Sequence, residues 1–164
     1  MYLIMRKIFR KLVSVNEAIK ILEQHFKPKP IRIQEISLFE ALNRVLAEDI
    51  IATIDVPPFD RAIVDGYAVI SHDTYYASET NPVKLRIIER VKTGSKPAKS
   101  LRRGTAIELD TGAMIPNGAN AVVPVEYTEE TNDNHVLLYR RVSVGENIQY
   151  AGSDIAKGEI MLRK

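Results

Sequence analysis

From residue 49 onward the chain alternates short apolar segments with turn residues, and this spacing constrains its fold more than any other feature. With glycine, proline or polar turns between them, such segments occur at residues 50–54, 67–70, 83–91, 105–109, 121–125 and 136–139. Because the segments are short and closely spaced, they leave no room for the helices of βαβ units. The pattern predicts a β-rich body of coiled or barrel-like sheets. Pro124 predicts an edge or bulged strand at 121–125, with residues 136–139 as its hairpin partner and a strand pair at 155–164.

One helix is expected near the start of the chain. Ser14 and Glu17 have the spacing of a capping box, in which each side chain satisfies a backbone N–H group of the other residue. Apolar residues then follow on one helical face, at positions 15, 18, 19, 22 and 26. The helix is expected to end near Lys27, because Pro28 follows it.

A second, short helix is expected from Ser37, where the capping spacing is repeated with Glu40, through Leu46. Between the two helices, residues 31–36 alternate in polarity and predict a short strand. Together with the β-rich body, these segments predict an α+β fold with two N-terminal helices.

The composition excludes several classes of site. The 164 residues include no cysteine, which rules out disulfide scaffolds, zinc–thiolate sites, iron–sulfur clusters and cysteine nucleophiles. A net charge of +2 gives no support for a nucleic-acid partner, and no apolar run approaches the roughly 20 residues of a membrane span. Neither a G-x-G-x-x-G motif nor a P-loop occurs. We therefore expect a cytoplasmic protein that binds neither nucleic acid nor membrane.

Three aspartates lie in and after a rigid Pro-Pro loop. Asp55, Asp60 and Asp65 are spaced by five residues, unlike the two-residue steps of a calcium-binding EF-hand loop. Gly66, directly after the last of them, permits a tight turn or a close approach of the backbone to a ligand. The segment predicts either a structural Asp-Gly turn with solvated acids or a carboxylate presented at a fixed place on the surface.

Two later turns also present small polar groups. The hydroxyl of Thr111 can hydrogen-bond an oxyanion, and Gly112 permits the backbone to approach a ligand, although the same turn is typical of a simple strand end. Asp154 is an acid in a third turn, two residues after Gly152. Together with Asp65, these turns predict one composite surface for an anionic ligand with a bound divalent cation.

Four motifs, taken in chain order, resemble the molybdopterin molybdenumtransferase family, which includes MoeA and the E domain of gephyrin. The first is EALNRVLAEDI at residues 40–50, and the second is DVPPFD at 55–60 running into DGYAV at 65–69. The third is DTGAMIPNGANAVV at 110–123, and the fourth is GENI at 145–148 followed by GSDI at 152–155. The resemblance covers residues 14–163, nearly the whole chain.

The resemblance implies an elongated fold of bifurcated and coiled β-sheets. Residues 1–54 plus 151–164 would form a helix-containing dimerisation lobe, and residues 55–150 an inserted β-rich lobe that carries the DGYA and DTGA loops. It further implies a homodimer whose active cleft lies between this β-rich lobe and a molybdopterin-binding, Mog-like domain. That domain is expected as a partner, in cis or in trans.

The family's reaction inserts molybdate into adenylylated molybdopterin and releases AMP, with a divalent metal, usually Mg²⁺. The family pattern implies catalytic roles for Asp65, Thr111 and Asp154, with Asp65 and Asp154 as metal ligands. This is chemically reasonable, because carboxylates hold Mg²⁺ or its waters and a hydroxyl can contact a phosphate. Further substrate or cofactor contacts are expected from neighbouring loop residues, namely Asp60, Arg61, Gly66 and Gly112.

The chain departs from the family pattern at several of these positions. The usual Asn-Ser-Ala-Met segment is Arg-Ala-Ile-Val, beginning at Arg61, and Asp110 replaces a methionine. Gln149 and Tyr150 replace two basic residues expected near an anionic substrate, and Ser153 replaces a glutamate. Arg61 is expected to compensate for the lost basic charge.

Three functions therefore stay open. In the first, the chain supplies the N-terminal lobes of a molybdenumtransferase and is inactive alone, because the molybdopterin-binding domain is absent from it. In the second, it is a non-enzymatic dimerising scaffold or partner-binding module. The third is a small-molecule hydrolase built on the three acids. Self-association would place four apolar side chains of the helical lobe on its inner faces: Ile19, Leu22, Leu42 and Val45.

Overall fold

The structure is a computed structural model that describes residues 12–29 and 32–164. The chain divides into two compact units, residues 1–47 and residues 48–164. Residues 1–11 of the predicted dimerisation lobe and residues 30–31 lie outside the described part of the chain. The predicted division into a 1–54 plus 151–164 lobe and a 55–150 lobe stays a prediction.

The first unit contains the predicted N-terminal helix, α1, at Val15–His25. Its capping box is confirmed: the Glu17 N–H donates to the Ser14 hydroxyl at 3.3 Å, and the Ser14 N–H donates to Glu17 Oε2 at 3.1 Å. The helix ends where Phe26 leaves the helical region with φ −111°, shortly before Pro28. No residue of α1 is buried.

The predicted second helix is wrong in length and type. Only Leu38–Glu40 forms a helical turn, of the 3₁₀ kind, and the Ser37 side chain makes no capping hydrogen bond. The helix cannot continue to Leu46, because Asn43 takes a left-handed conformation with φ +63°. The predicted strand at 31–36 is also absent from its described part, residues 32–36. Within the described residues, no helix is long and apolar enough to cross a membrane.

The second unit is built on a curled, six-stranded mixed sheet, so the prediction of a β-rich body is confirmed. Its strands lie in the order β6-β3-β5-β4-β8-β7. These strands are β3 (Gly66–Val69), β4 (Val83–Val91), β5 (Thr105–Leu109), β6 (Ala121–Pro124), β7 (Thr128–Thr131) and β8 (His135–Leu138). β6 lies at the sheet edge, as Pro124 predicts. All neighbouring strands are antiparallel except β4 and β5, which are parallel.

The predicted hairpin between residues 121–125 and 136–139 is wrong. β8 pairs with β7 and β4, whereas β6 pairs with β3. The polarity of residues 128–134 suggested a turn, but Thr128–Thr131 is the outer strand of the sheet and exposes Glu129 and Glu130. Charged residues are typical of an edge strand, because they discourage pairing with another chain.

Both faces of the sheet are covered at β3 and β6, which explains the continuous apolar runs of these two strands. Tyr67 and Val69 of β3 contribute to one buried cluster, while Ala68 between them contributes to the other. β6 divides in the same way, with Val123 on the first face and Val122 on the second. Because neighbouring side chains of a strand point to opposite faces, a strand buried on both faces is apolar throughout.

Two short strand pairs complete the second unit and fix the loops beside the sheet. β1 (Ile50–Ile51) pairs with β10 (Ile160–Leu162), and β2 (Arg61–Ala62) pairs with β9 (Ile148–Gln149). The strand pair predicted within residues 155–164 is therefore wrong: β10 pairs with β1, and Ile155 bridges Val56.

Candidate functional site

The Pro-Pro loop is held against the turn that contains Asp154. The Gly152 N–H donates to the Pro57 carbonyl at 2.9 Å, and the Asp154 N–H donates to the Val56 carbonyl at 2.9 Å. The Lys157 N–H donates to Asp55 Oδ1 at 2.8 Å. The prolines have no N–H to offer, so this loop is fixed largely through its carbonyl groups and the Asp55 carboxylate.

Asp65 and Thr111 form a direct pair. Asp65 Oδ1 accepts the Thr111 backbone N–H at 2.6 Å and the Thr111 hydroxyl at 2.6 Å. The sheet register produces this contact, since Gly66 at the start of β3 pairs with Leu109 at the end of β5. Both side chains are exposed, so the pair is available to a ligand.

A third loop supports this pair from the end of β4. The Thr93 hydroxyl donates to the Thr111 carbonyl at 2.6 Å, and Val91 pairs with Leu109 across the parallel β4–β5 ladder. Thr93 was missed by the sequence reasoning. Its contribution depends on β4 and β5 being parallel neighbours, which places the two strand ends together, and no local signal predicts that pairing.

The two glycines beside the pair are explained by the backbone. A Cβ on Gly66 would lie 2.1 Å from the Val123 carbonyl oxygen of β6, so Gly66 permits close approach of that strand. Gly112 has φ +83°, which strongly favours glycine, and its N–H donates to the Ala62 carbonyl at 2.8 Å. Both glycines therefore shape the loops that carry Asp65 and Thr111.

A second hydrogen-bonded group contains Arg61, Gln149 and Asp154. Arg61 Nε donates to Gln149 Oε1 at 2.9 Å, and Gln149 Nε2 donates to Asp154 Oδ1 at 3.0 Å. Asp60 holds the same segment, since its Oδ1 accepts the Ala151 N–H at 2.8 Å. In the sequence, Gln149 stands where the family pattern has a basic residue. In the structure, its side chain connects the Arg61 guanidinium to the Asp154 carboxylate.

The two groups lie on either side of β2. Ala62 donates its N–H to the Ala113 carbonyl at 2.9 Å and pairs with Ile148 of β9. In the described part of the chain, no hydrogen bond or ion pair joins Asp65 directly to Asp154. The structure thus brings Asp65 together with Thr111, and Asp154 together with Arg61, as two neighbouring groups on one strand pair and its adjoining loop.

The hydrogen bonds from Thr111 also change the protonation equilibrium of Asp65. The hydroxyl of Thr111, and then its backbone N–H, lower the pKa of Asp65 below its ordinary value of 3.8, because both donate to the ionised form. Asp65 is therefore a carboxylate at neutral pH. It is suited to accept hydrogen bonds or bind a cation, and poorly suited to act as a general acid.

The described residues contain no group of three or more histidine, cysteine, aspartate or glutamate side chains that could enclose a metal ion. Mg²⁺ commonly takes only one or two protein carboxylates and completes its octahedral shell with waters and substrate phosphates. Asp65 fits that kind of site, because both of its hydrogen bonds from Thr111 fall on one oxygen, Oδ1. Asp154 is exposed in the neighbouring group, where its Oδ1 accepts from Gln149.

This arrangement defines a β-rich module that presents acids, a hydroxyl and a guanidinium on loops beside a sheet. Residues 13–164 match the family model described as the MoeA N-terminal region, domains I and II. The chain belongs to this family, as the motif order at residues 40–155 predicts.

Relatives of known name are similar over almost the whole chain. The molybdopterin molybdenumtransferase of Bacillus subtilis is 40% identical over 158 residues, covering 94% of this chain and 36% of the relative. That of Staphylococcus epidermidis is 40% identical over 156 residues, with the same two coverages of 94% and 36%. The chain therefore spans little more than a third of the length of these curated relatives.

A solved structure has the same fold. The crystal structure of the molybdopterin biosynthesis moeA protein from Pyrococcus horikoshii matches with a TM-score of 0.86 and 44% sequence identity. The match covers 94% of this chain and 40% of that protein. At this identity the likeness extends to sequence as well as fold.

Proposed function

We propose that this chain supplies the N-terminal lobes of a molybdenum cofactor biosynthesis protein that inserts molybdate into adenylylated molybdopterin and releases AMP. The observation that carries the proposal is the exposed Asp65 carboxylate, fixed by two hydrogen bonds of 2.6 Å from Thr111, in a chain of the MoeA N-terminal region family. The names of the relatives support the same reaction class. The reaction also requires a molybdopterin-binding domain, in cis or in trans, and we expect it in the cytoplasm.

In this proposal Asp65 and Asp154 bind Mg²⁺ or its coordinated waters. The hydrogen bonds from Thr111 support this role, because they hold the ionised carboxylate in one orientation and favour its charged form, which lowers the pKa of Asp65. When bound, Mg²⁺ would neutralise negative charge on phosphate and molybdate oxygens. Thr111 acts by orienting Asp65, and its hydroxyl is close enough to that carboxylate to contact the same ligand.

Arg61 supplies the positive charge in this proposal. Its Nε is occupied by Gln149 at 2.9 Å, while a guanidinium has further N–H groups that can bind an oxyanion. Asp60 lies directly before β2 and fixes the segment after β9 by accepting the Ala151 N–H. Gly112 allows the loop backbone to come close to the substrate, whereas Gly66 is buried against β6 and acts by placing Asp65 at the end of β3.

A dimerising scaffold is the second candidate, because α1 carries an exposed apolar face. Val15 is 76% exposed, Ile19 47%, Leu22 63% and Phe26 68%. These residues lie about one helical turn apart on one side of the helix. A homodimer formed through this face is compatible with the enzymatic proposal and is required by the scaffold proposal.

A chimera tests the enzymatic proposal. In it, residues 13–164 replace the matching segment of the Bacillus subtilis relative, and AMP release is measured with adenylylated molybdopterin, molybdate and Mg²⁺. We expect turnover, and we expect Asp65→Asn to lower it by about 100-fold, since changes in a metal site commonly cost 10–100-fold. Glu79→Gln is the matched control, because it also removes one exposed carboxylate but lies outside the candidate site.

Two outcomes would contradict the proposal. One is a folded chimera without activity, which would favour the scaffold. The other is an Asp65→Asn chimera that retains the activity of the Glu79→Gln control, which would remove Asp65 from the reaction. Omitting Mg²⁺ tests the metal role by itself. The proposal requires that the activity of the chimera with Asp65 intact falls when Mg²⁺ is left out.

A further inference from the structure

A second polar surface lies along the parallel strands β4 and β5, away from the loops of the candidate site. It is an open groove of about 600 Å³, within the size range of small-molecule sites. Its polar lining consists of Arg86, Lys99, Ser100, Arg102, Thr105 and Asn134. We call this surface the β4–β5 groove.

The groove is at the opposite end of the β4–β5 pair from Asp65 and Thr111. Arg86 pairs with Thr105 at the start of β5, whereas Leu109 at its end leads to Thr111. At about 3.3 Å per residue, the four residues from Thr105 to Leu109 separate the two ends by roughly 13 Å. The groove is thus a separate surface.

The side chains that line the groove carry three positive charges. Arg86, Lys99 and Arg102 are exposed, and none of them takes part in an ion pair within the described residues. The groove lining contains no acid. Three like charges at one concave surface attract a multivalent anion and raise its local concentration.

Two acids that adjoin the groove lining are paired with other cations. Asp133 is paired with Lys84 at 2.6 Å, an interaction that lowers the pKa of that carboxyl. Asp73 accepts hydrogen bonds from Arg103 at 3.1 Å and from the Gly104 N–H at 2.8 Å. These contacts leave the groove cations as the local excess of charge.

Glu89 is a third neighbouring acid, and its carboxylate binds backbone N–H groups. Its two carboxylate oxygens accept the N–H groups of Ala98 and Lys99, at 2.9 and 2.8 Å. The connection between β4 and β5 is thereby fastened to β4. Lys99 Nζ also donates to the Ile88 carbonyl at 2.6 Å, where a bulge interrupts the β4 ladder. The ammonium group has two further N–H donors for a ligand.

Both walls of the groove are fixed by hydrogen bonds. On one side the Arg102 N–H donates to the Thr105 hydroxyl at 3.1 Å, and that hydroxyl donates to the Arg102 carbonyl at 2.6 Å. On the other side Asn134 Nδ2 donates to the Ile87 carbonyl at 2.9 Å. The walls are therefore preorganised, which reduces the ordering cost of binding, while the guanidinium groups remain available.

We propose that the β4–β5 groove binds a small ligand that carries at least two phosphate groups. Arg86 and Arg102 each provide a planar guanidinium group that can donate two hydrogen bonds to one phosphate. Lys99, in the connection between β4 and β5, adds a compact positive charge. Ser100 adds a neutral hydroxyl donor. This ligand is distinct from the substrate of the Asp65 site, and its binding does not depend on the proposed reaction.

Tripolyphosphate is the probe for this proposal. Titration of the 164-residue chain at physiological salt, followed by the ¹H–¹⁵N signals of the backbone and of the arginine Nε groups, is expected to shift Arg86, Ser100 and Arg102. The Asp65 and Thr111 amides are expected to stay unchanged. Arg86→Gln and Arg102→Gln are each expected to weaken binding by about tenfold, the effect of losing a charge-assisted hydrogen bond.

Arg141→Gln is the matched control, because Arg141 is exposed, outside the groove, and its replacement changes the net charge equally. The proposal is overturned if Arg141→Gln weakens binding as much as Arg86→Gln, since binding would then reflect net charge alone. Binding of citrate as tight as that of tripolyphosphate would overturn the assignment to phosphate. If tripolyphosphate shifts no NMR signal of the groove residues, and all variants unfold at the same temperature as the original chain, the groove does not bind such a ligand.

Discussion

The Asp65 carboxylate and Thr111 are joined by two hydrogen bonds of 2.6 Å that converge on one oxygen, Oδ1. One donor is the hydroxyl and the other is the backbone N–H, so the contact fixes both the threonine rotamer and the loop around it. The second carboxylate oxygen is left for a ligand.

Replacing Thr111 by valine is expected to raise the pKa of Asp65 towards its ordinary value of 3.8, because the hydroxyl makes the largest contribution to lowering it. The backbone N–H bond remains, so the return is partial. Thr111→Ser keeps the hydroxyl and should leave the pKa lowered. The measurement is a pH titration of the Asp65 carboxyl by NMR.

The same substitution changes how stability depends on pH. Because the pKa of Asp65 is lower in the folded than in the unfolded chain, the Thr111 contacts stabilise the fold above pH 3.8, and this contribution disappears as pH falls through the lowered value. Thr111→Val and the original chain should therefore converge in stability at low pH. A constant difference between them across the acidic range would contradict the linkage.

Gly66→Ala is expected to destabilise the second unit, because the new Cβ would lie 2.1 Å from the Val123 carbonyl oxygen. The clash is with backbone and not with a mobile side chain, so we expect a loss near 3 kcal/mol in the free energy of unfolding, about the upper end for overpacking. Urea unfolding measures it.

Gly158→Ala is the comparison for Gly66→Ala. Gly158 has φ +90° and no atom within 4 Å of the added Cβ, so its replacement measures backbone strain alone, about 1 kcal/mol. Gly66→Ala should lower the free energy of unfolding clearly more than Gly158→Ala does. Equal losses for the two variants would show that β6 can move away from β3 without penalty.

The β-rich class and the capping box of α1 follow from local patterns. Ser14 and Glu17 need only each other, and the short apolar segments at residues 83–91 and 105–109 form strands that bury their apolar side chains. By contrast, the predicted helix through Leu46 failed because Asn43 adopts a left-handed conformation, which propensity does not reveal. The β8 partner was misassigned because β7 is a polar edge strand, and its sequence looks like a turn.

The turns that carry the proposed site residues follow from the sequence, whereas the contacts between them do not. Asp65, Thr111 and Asp154 each lie in a turn that the sequence marks. That Asp65 contacts Thr111, while Asp154 is connected to Arg61 through Gln149, depends on the pairing of β3 with β5 and of β2 with β9. Pairing between strands distant in sequence is set by tertiary packing, so Gln149 and Thr93 could not be identified from local signals.

Arg61→Gln in the chimera is expected to raise KM for the anionic substrate by about tenfold, the effect of one charged hydrogen bond. Gln149→Leu removes both of its side-chain hydrogen bonds, 2.9 Å to Arg61 and 3.0 Å to Asp154, and should raise KM a few-fold by releasing Arg61. Because Gln149 acts through Arg61, the double variant should resemble Arg61→Gln alone. Steady-state kinetics of the four proteins measure this coupling.

Gln34→Leu is the control for Gln149→Leu, since Gln34 is exposed in the first unit and outside the site. Additive effects of Arg61→Gln and Gln149→Leu on KM would mean that Gln149 has no positioning role towards Arg61. If Gln149→Leu changes kcat and leaves KM unchanged, Gln149 acts by positioning Asp154 instead of Arg61.

The exposed face of α1 predicts self-association. Ile19 is 47% and Leu22 63% exposed, and Leu42 and Val45 in the same unit are 83% and 91% exposed. Burying large aliphatic side chains contributes about 1.5–3 kcal/mol each, so Ile19→Glu together with Leu22→Glu should weaken a dimer by at least tenfold. Sedimentation velocity over a range of protein concentrations measures the effect.

A matched charge control separates loss of apolar contact from electrostatic repulsion in that experiment. Lys20→Gln with Lys27→Gln makes the chain more negative by the same two charges but leaves the apolar face of α1 intact. We expect this control to dimerise, and the Ile19→Glu/Leu22→Glu variant to be monomeric with its helix retained by circular dichroism, because the Ser14–Glu17 capping box is untouched. If the original chain is monomeric at high concentration, the prediction of a dimer is wrong. If the Lys20→Gln/Lys27→Gln control is monomeric, the loss of positive charge and not the loss of apolar contact explains the weaker association.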